Sequence, residues 1–219
     1  MIDFKLIADS LPVLLQGALV TLEIALLSTI IGIALGTFLG LMQTSKSKIF
    51  RWLSTVYVTI IRGIPMLIQI TFFFFGLPEV GIKLPAFWVA VIAIGLNSAA
   101  YVSQIIKTGI RSIGKGQIEA GRVLGLSNMQ ITRFIILPQA FRVVIPSLGN
   151  EFITLVKDSS LASVIGVVEL TKEGIFIRGR TLDVFTVFFA VACIYLIITT
   201  TLSLFINWLE RRMNRHVRH

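Results

Sequence analysis

The chain has 219 residues, of which 55% are hydrophobic and only 14% charged, with a mean hydropathy of +0.89. Soluble domains carry about 25% charged residues, so this composition excludes an ordinary soluble globule and points to an all-α integral membrane protein. The formal charge of +9, from 20 Lys and Arg against 11 Asp and Glu, suggests nucleic acid in a soluble chain; here it is first a marker of membrane topology.

Residues 1–10 carry Asp3 and Asp9 and lack the basic start of a secretory signal. Five apolar stretches follow, at approximately 12–42, 52–76, 85–109, 140–157 and 185–208. Each is read as one span of a single transmembrane domain covering 1–219, since about 20 apolar residues cross a bilayer. The fourth is short and interrupted by Glu151.

The charges orient these spans. Lys46, Lys48 and Arg51 lie between the first two. Lys107, Arg111, Lys115, Arg122, Arg133 and Arg142 lie between the third and fourth, and Arg211, Arg212, Arg215 and Arg218 in the tail. These thirteen basic residues face few acids. The connections on the other side hold Asp3, Asp9, Glu79, Asp158, Glu169, Glu173 and Asp183. The positive-inside rule then places the N-terminus outside and the C-terminus in the cytoplasm, which an odd number of spans requires. With the basic surplus assigned to topology, nucleic-acid binding loses its support.

Ser28, Gly32, Gly36 and Gly40 recur every four residues in the first span, a row that lets another helix approach closely, within the bundle or across a dimer seam. Arg62 stands inside the second span, followed by Gly63 and Pro65. A buried arginine must face protein or water, and Pro65 favours a kink that frees carbonyls. Arg62 is therefore either a structural partner of those carbonyls or part of a transport path. Asn97, Tyr101, Gln104 and Thr108 form one polar stripe on the third span. Glu151, Thr154 and Asp158 form another on the fourth, followed by Ser159 and Ser160. A short, polar span suits a broken helix lining a path. Glu151 is either a substrate ligand or an ion-pair partner of a residue such as Arg62.

The single Cys193 forms neither an intrachain disulfide nor a multi-cysteine metal site, and His216 and His219 stand at the C-terminus, so the body of the chain offers no catalytic histidine or metal cluster. A run from Gly109 to Gly116 imitates a phosphate-binding loop. It lacks the hydroxyl after Lys115 and follows a membrane span, not a strand. Nucleotide binding by this chain is not expected.

Beyond it comes Glu119-Ala120-Gly121-Arg122-Val123-Leu124-Gly125, and later Ile135-Ile136-Leu137-Pro138. The spacing predicts a short helix with Glu119 near its positive end, a left-handed stop at Gly125, a capping box at Ser127 and Gln130, and a second helix ended or kinked at Pro138. This is a cytoplasmic elbow over 117–138.

That elbow resembles the EAA loop of bacterial ABC importer permeases, with Gly121 in place of the second alanine. Other stretches resemble the polar amino acid permeases of the histidine/glutamine type: Arg62-Gly-Ile-Pro65-Met-Leu-Ile-Gln69, Asn97-Ser98-Ala-Ala-Tyr101, Asn150-Glu151 and Lys157-Asp158-Ser159-Ser160-Leu161. The family often has Glu where this chain has Gln104. The resemblance implies a type I ABC importer permease fold of five transmembrane helices with a coupling-helix elbow, in the bacterial inner membrane. It implies a subunit without an ATPase site, no cofactor on this chain, and ATP and Mg²⁺ on two cytoplasmic ATP-binding partners. A second permease subunit, expected as a homodimer with a paralogue as the alternative, and an extracytoplasmic amino-acid-binding protein complete the system. The elbow residues Glu119, Ala120, Gly121, Arg122, Gly125, Leu137 and Pro138 would couple to the ATPase. Asn97, Ser98, Tyr101, Gln104, Glu151, Asp158, Ser159 and Ser160 would line the path of a polar amino acid, the acids suiting a basic one. A permease for another small polar solute and an ion-channel subunit are the alternatives. A membrane enzyme lacks its constellation.

Overall fold

The computed structural model describes residues 2–214; the tail residues Arg215, His216, Arg218 and His219 lie outside the described residues. The helices are α1 (Phe4–Thr44), α2 (Lys48–Gly63), α3 (Met66–Glu79), α4 (Ala86–Arg111), α5 (Lys115–Val123), α6 (Asn128–Ile131), α7 (Leu137–Asp158), α8 (Leu170–Thr181) and α9 (Val184–Asn214). A π turn (Thr132–Ile136) joins α6 to α7, and a 3₁₀ segment (Ser159–Ile165) follows α7. In lipid every backbone polar group must be satisfied within the protein, which long helices achieve by themselves. Among the described residues four stretches are long and apolar enough to cross a membrane, and the α2–α3 pair makes a fifth if it counts as one span.

The centre of the bundle is the α1–α4 seam. Ser28 Oγ donates to the Val91 carbonyl at 3.1 Å. Farther along, Gly32 lies against Ser98, Gly36 against Val102 and Gly40 against Ile106. A Cβ at Gly36 would stand 2.6 Å from Val102 Cβ and 2.8 Å from the Ala99 carbonyl oxygen, so the two backbones meet where only hydrogen fits. Without a hydrophobic driving force in lipid, such close packing supplies the attraction. The core beside the seam gathers Ile24, Ile70, Val91, Ile94, Leu155 and Val156, each at most 1% exposed.

Three features depart from the sequence expectations. The apolar stretch 52–76 is not one straight helix: α2 and α3 meet at 100°. Ile64 and Pro65 are extended at the junction, because proline has no N–H to continue the ladder. Gln69, on the first turn of α3, repairs the break. Its Nε2 donates to the carbonyls of Ile61 at 2.6 Å and Ile64 at 2.8 Å. One amide thus serves two carbonyls at the break, and for Ile61 the residue four positions on is Pro65, which has no N–H to offer. Gln69, not Arg62, satisfies these carbonyls.

The second departure is the region after Asp158, read above as an outer connection. It folds back as the 3₁₀ segment, a left-handed turn at Gly166 (φ +89°) and α8. Glu169, counted above among the outer charges, is completely buried as the N-cap of α8.

Pro138 also behaves differently from expectation. It does not end the helical run but sits at the start of α7, and the preceding π turn passes Leu137 N to the Thr132 carbonyl. The wider turn skips the bond that proline cannot make.

Candidate functional site

One cavity of about 370 Å³ opens at the α2–α3 break. Gly63, Ile64, Pro65 and Met66 form its broken-helix wall, with Arg62 projecting from the end of α2. Asn97 and Tyr101 enter from α4, and Glu151, Thr154 and Asp158 from α7. Three segments far apart in sequence thus supply one guanidinium, two carboxylates, an amide, a phenol and a hydroxyl.

Secondary interactions aim these groups. The Arg62 guanidinium lies over the Tyr101 ring, 4.9 Å from its centroid, so the ring's π face holds the cation. Asn97 Nδ2 donates to Gln69 Oε1 at 3.2 Å, which ties the α4 wall to the amide that stabilises the break. Ser98, fully buried, donates from Oγ to Glu151 Oε1 at 2.9 Å. Arg62 therefore rests on Tyr101 and Glu151 on Ser98; the ion pair considered between them is not formed in this structure.

Four residues assigned to the path do not line this cavity; Ser98 is one, fully buried with its hydroxyl on Glu151, and Gln104, Ser159 and Ser160 are the others. Gln104 shares the face of Asn97 but lies two turns farther along α4, where it donates to Gln43 Oε1 at 3.0 Å. Gln43 in turn donates to Ser54 and Ser103, forming a buried amide–hydroxyl knot among α1, α2 and α4. Ser159 is buried with its hydroxyl on the Val156 carbonyl at 2.8 Å. Ser160 lines a different groove with Lys157, Thr171 and Tyr195. The switch from α-helix to 3₁₀ after Asp158 changes the angle per residue and carries both serines off the cavity face. Gln69, which organises the site, received no role from the sequence. The available signal was an amide four residues after a helix-breaking proline.

The elbow forms a separate unit. α5 begins at Lys115, so Glu119 sits on its second turn and not at its positive end. Gly125 is left-handed at φ +78°. Ser127 Oγ accepts from Gln130 N at 3.3 Å, and Ser127 N donates to Gln130 Oε1 at 2.8 Å, completing the capping box. Gly121 is buried against Ile135 and Ile131, where a side chain would meet the flexible end of Ile135. Around this compact turn Glu119, Ala120 and Arg122 are exposed. Val123, Leu124 and Met129 are 88%, 79% and 79% exposed. Bare apolar side chains thus stand beside charges on this turn.

Residues 10–215 match the family described as the binding-protein-dependent transport system inner membrane component. This chain belongs to that family. It is similar to the L-cystine transport system permease protein TcyB of Bacillus subtilis (strain 168), 43% identical over 207 residues covering 94% of this chain and 88% of that one. It is also similar to the glutamine transport system permease protein GlnP of Escherichia coli (strain K12), 39% identical over 213 residues, 96% of this chain and 97% of that protein. A solved "amino acid ABC transporter with histidines" superposes with a TM-score of 0.92 at 37% identity, over 97% of this chain and 99% of that chain. The chain is a permease of the amino-acid ABC importer branch and has the type I importer permease fold. In this family ATP hydrolysis belongs to a separate subunit, so the permease works with an ATPase and a substrate-binding protein.

Glu119 provides a test of coupling. Its side chain is exposed, and substitutions at such positions change stability by about 0.5 kcal/mol or less. Glu119→Lys is expected to insert and fold normally while the ATPase subunit dissociates or hydrolyses ATP without transport. Co-purification and substrate-stimulated ATP hydrolysis in proteoliposomes measure this; wild-type values for both would exclude Glu119 from the contact.

Proposed function

We propose that two copies of this chain form the membrane path of an importer for polar amino acids, and that the cavity at the α2–α3 break receives the substrate. The observation that carries this reading is the placement of Arg62 with Glu151 and Asp158 around one cavity. A zwitterion needs donors for its carboxylate and acceptors for its ammonium. Arg62 offers the fork that suits a carboxylate, and Glu151 or Asp158 accepts the ammonium. Once these pairs form, one carboxylate remains, which suits a basic side chain. A volume of about 370 Å³ lies at the small end of ligand pockets, about 300–1,000 Å³. The substrates in the relatives' names, cystine and glutamine, share the same α-amino acid head.

ATP and Mg²⁺ bind on the partner ATPase subunits. Their closure moves the elbows, one from each permease copy, and the rigid-body motion switches the cavity between the two sides. The N-terminus faces outward and the elbow inward, in the inner membrane of a bacterium. The thirteen basic residues around 46–51, 107–142 and 211–218 support that orientation.

The test is reconstitution of the chain with its ATPase subunit and binding protein in proteoliposomes. ATP-driven uptake of basic and neutral polar amino acids, absent without the binding protein, is the expected result. Conductance by the chain alone would replace this reading with a channel, and uptake restricted to solutes lacking the α-amino acid head would overturn the substrate class.

A further inference from the structure

α8 is fixed at one end and free at the other. Its root is Glu169, whose carboxylate accepts from Lys172 N at 2.8 Å, Thr171 N at 2.9 Å, Tyr195 Oη at 3.0 Å and Thr21 Oγ1 at 3.3 Å. Leu170 N donates to Thr21 Oγ1 at 3.2 Å, and Gly17 lies against the Leu170 backbone. One buried carboxylate thus binds α8 to both α1 and α9, with each of its hydrogen bonds in place. This is the arrangement a buried charge requires, and it makes the root rigid.

The far end is bare. Arg178, Arg180 and Thr181 are exposed. Leu182 is 83% exposed, and Val184 and Phe185 follow at 54% and 68%. Two properties of this tip have no use in the fold of a single chain. Leu182 adopts φ +59°, the one non-glycine residue among the described residues in the left-handed region. A bulky side chain there is strained, glycine would close the same turn, and the exposed leucine gains no burial in return. Arg178 and Arg180 also lie at the end of the bundle opposite Lys46, Lys48, Arg211 and Arg212, where the sidedness of basic residues disfavours them. Asp183, the acid nearest in sequence, instead accepts from Thr186 N at 3.0 Å.

We propose that the tip of α8, residues 178–185, is a docking surface for the extracytoplasmic binding protein. Arg178 and Arg180 face acidic residues on that partner, and Leu182 enters an apolar depression between them. The inference rests on the outward orientation of this end and on membership in a binding-protein-dependent family. Because the root engages Thr21 and Tyr195, contact at the tip bears directly on α1 and α9, at the opposite end of the bundle from the elbow.

The experiment uses the complete transporter with its ATPase subunits in nanodiscs. Affinity for the purified binding protein is measured for the wild type, Arg178→Glu with Arg180→Glu, and Leu182→Gly. Both variants are expected to weaken docking, the charge reversal by about tenfold or more with loss of the salt dependence of association. Basal ATP hydrolysis should stay at the wild-type level, and Arg178→Lys with Arg180→Lys should keep most of the affinity. Leu182→Gly separates docking from a structural role: relief of strain should leave thermal stability equal or higher while docking falls. Unchanged docking in both variants overturns the proposal, as does a loss seen only when anionic lipid is present, which would assign the tip to the membrane surface. Arg180→Cys in a Cys193→Ser background isolates the orientation. Labelling by an impermeant maleimide from outside with unchanged docking sinks this inference alone, and labelling only from the cytoplasmic side sinks the topology beneath it.

Discussion

Glu151→Gln is expected to leave a folded, ATPase-competent permease with weakened transport. The glutamine carbonyl can still accept from Ser98 Oγ, which the structure places 2.9 Å from Glu151. No cation is stranded by the change, since the Arg62 guanidinium rests on the Tyr101 ring. Thermal stability should therefore move by less than about 1 kcal/mol, in contrast to the roughly 3–5 kcal/mol lost when one member of a buried ion pair is removed. Substrate binding should suffer more. A hydrogen bond to a charged group contributes about 1.5–3 kcal/mol, so apparent affinity should fall about ten- to a hundredfold. Uptake against substrate concentration, with basal ATP hydrolysis as the control, measures this. An unaltered uptake curve would remove Glu151 from the substrate's path, and a collapse of folded yield would return it to a purely structural role.

The parts of this fold that follow local rules were legible in the sequence. The stop at Gly125 and the capping box at Ser127 and Gln130 depend on residues within a few positions of one another, and they form as expected. What depends on direction was not legible. Hydropathy along 52–76 cannot tell a straight helix from two meeting at 100°, and Pro65 signals a bend without its size. In sequence Glu169 reads as an outer charge, because its partners Thr21 and Tyr195 lie 148 and 26 residues away; only the folded chain shows that a carboxylate so flanked can be buried. Within the site, helical phase grouped Asn97, Tyr101 and Gln104 correctly on one face, but phase carries no depth. Gln104 falls one turn beyond Tyr101, outside the cavity, and joins Gln43 instead.

The α1–α4 seam gives the other large effect. Gly36→Leu is expected to abolish most folded protein. Its Cβ would lie 2.6 Å from Val102 Cβ and 2.8 Å from the Ala99 carbonyl oxygen. The first clash involves a β-branched side chain with little rotamer freedom. The second involves helix backbone, which can retreat only by moving α4 as a whole. Overpacking in a well-packed core costs about 1–3 kcal/mol when side chains can adjust, and here the whole seam must open. Neighbouring Gly32 and Gly40 make equally close contacts with Ser98 and Ile106, so separation at Gly36 also loosens the helix turns on either side. Displacement of α4 would carry Asn97 and Tyr101 away from Arg62 and Glu151, so any residual folded material should transport poorly. Gly36→Ala tests the geometry more narrowly, because the backbone contact is made by Cβ alone; it should lower thermal stability while Gly76→Ala, where a Cβ meets nothing within 4 Å, should not. Monodisperse yield and thermal unfolding of the purified complex decide the matter. A Gly36→Leu protein that assembles and melts like the wild type would mean that α1 and α4 do not meet along this row.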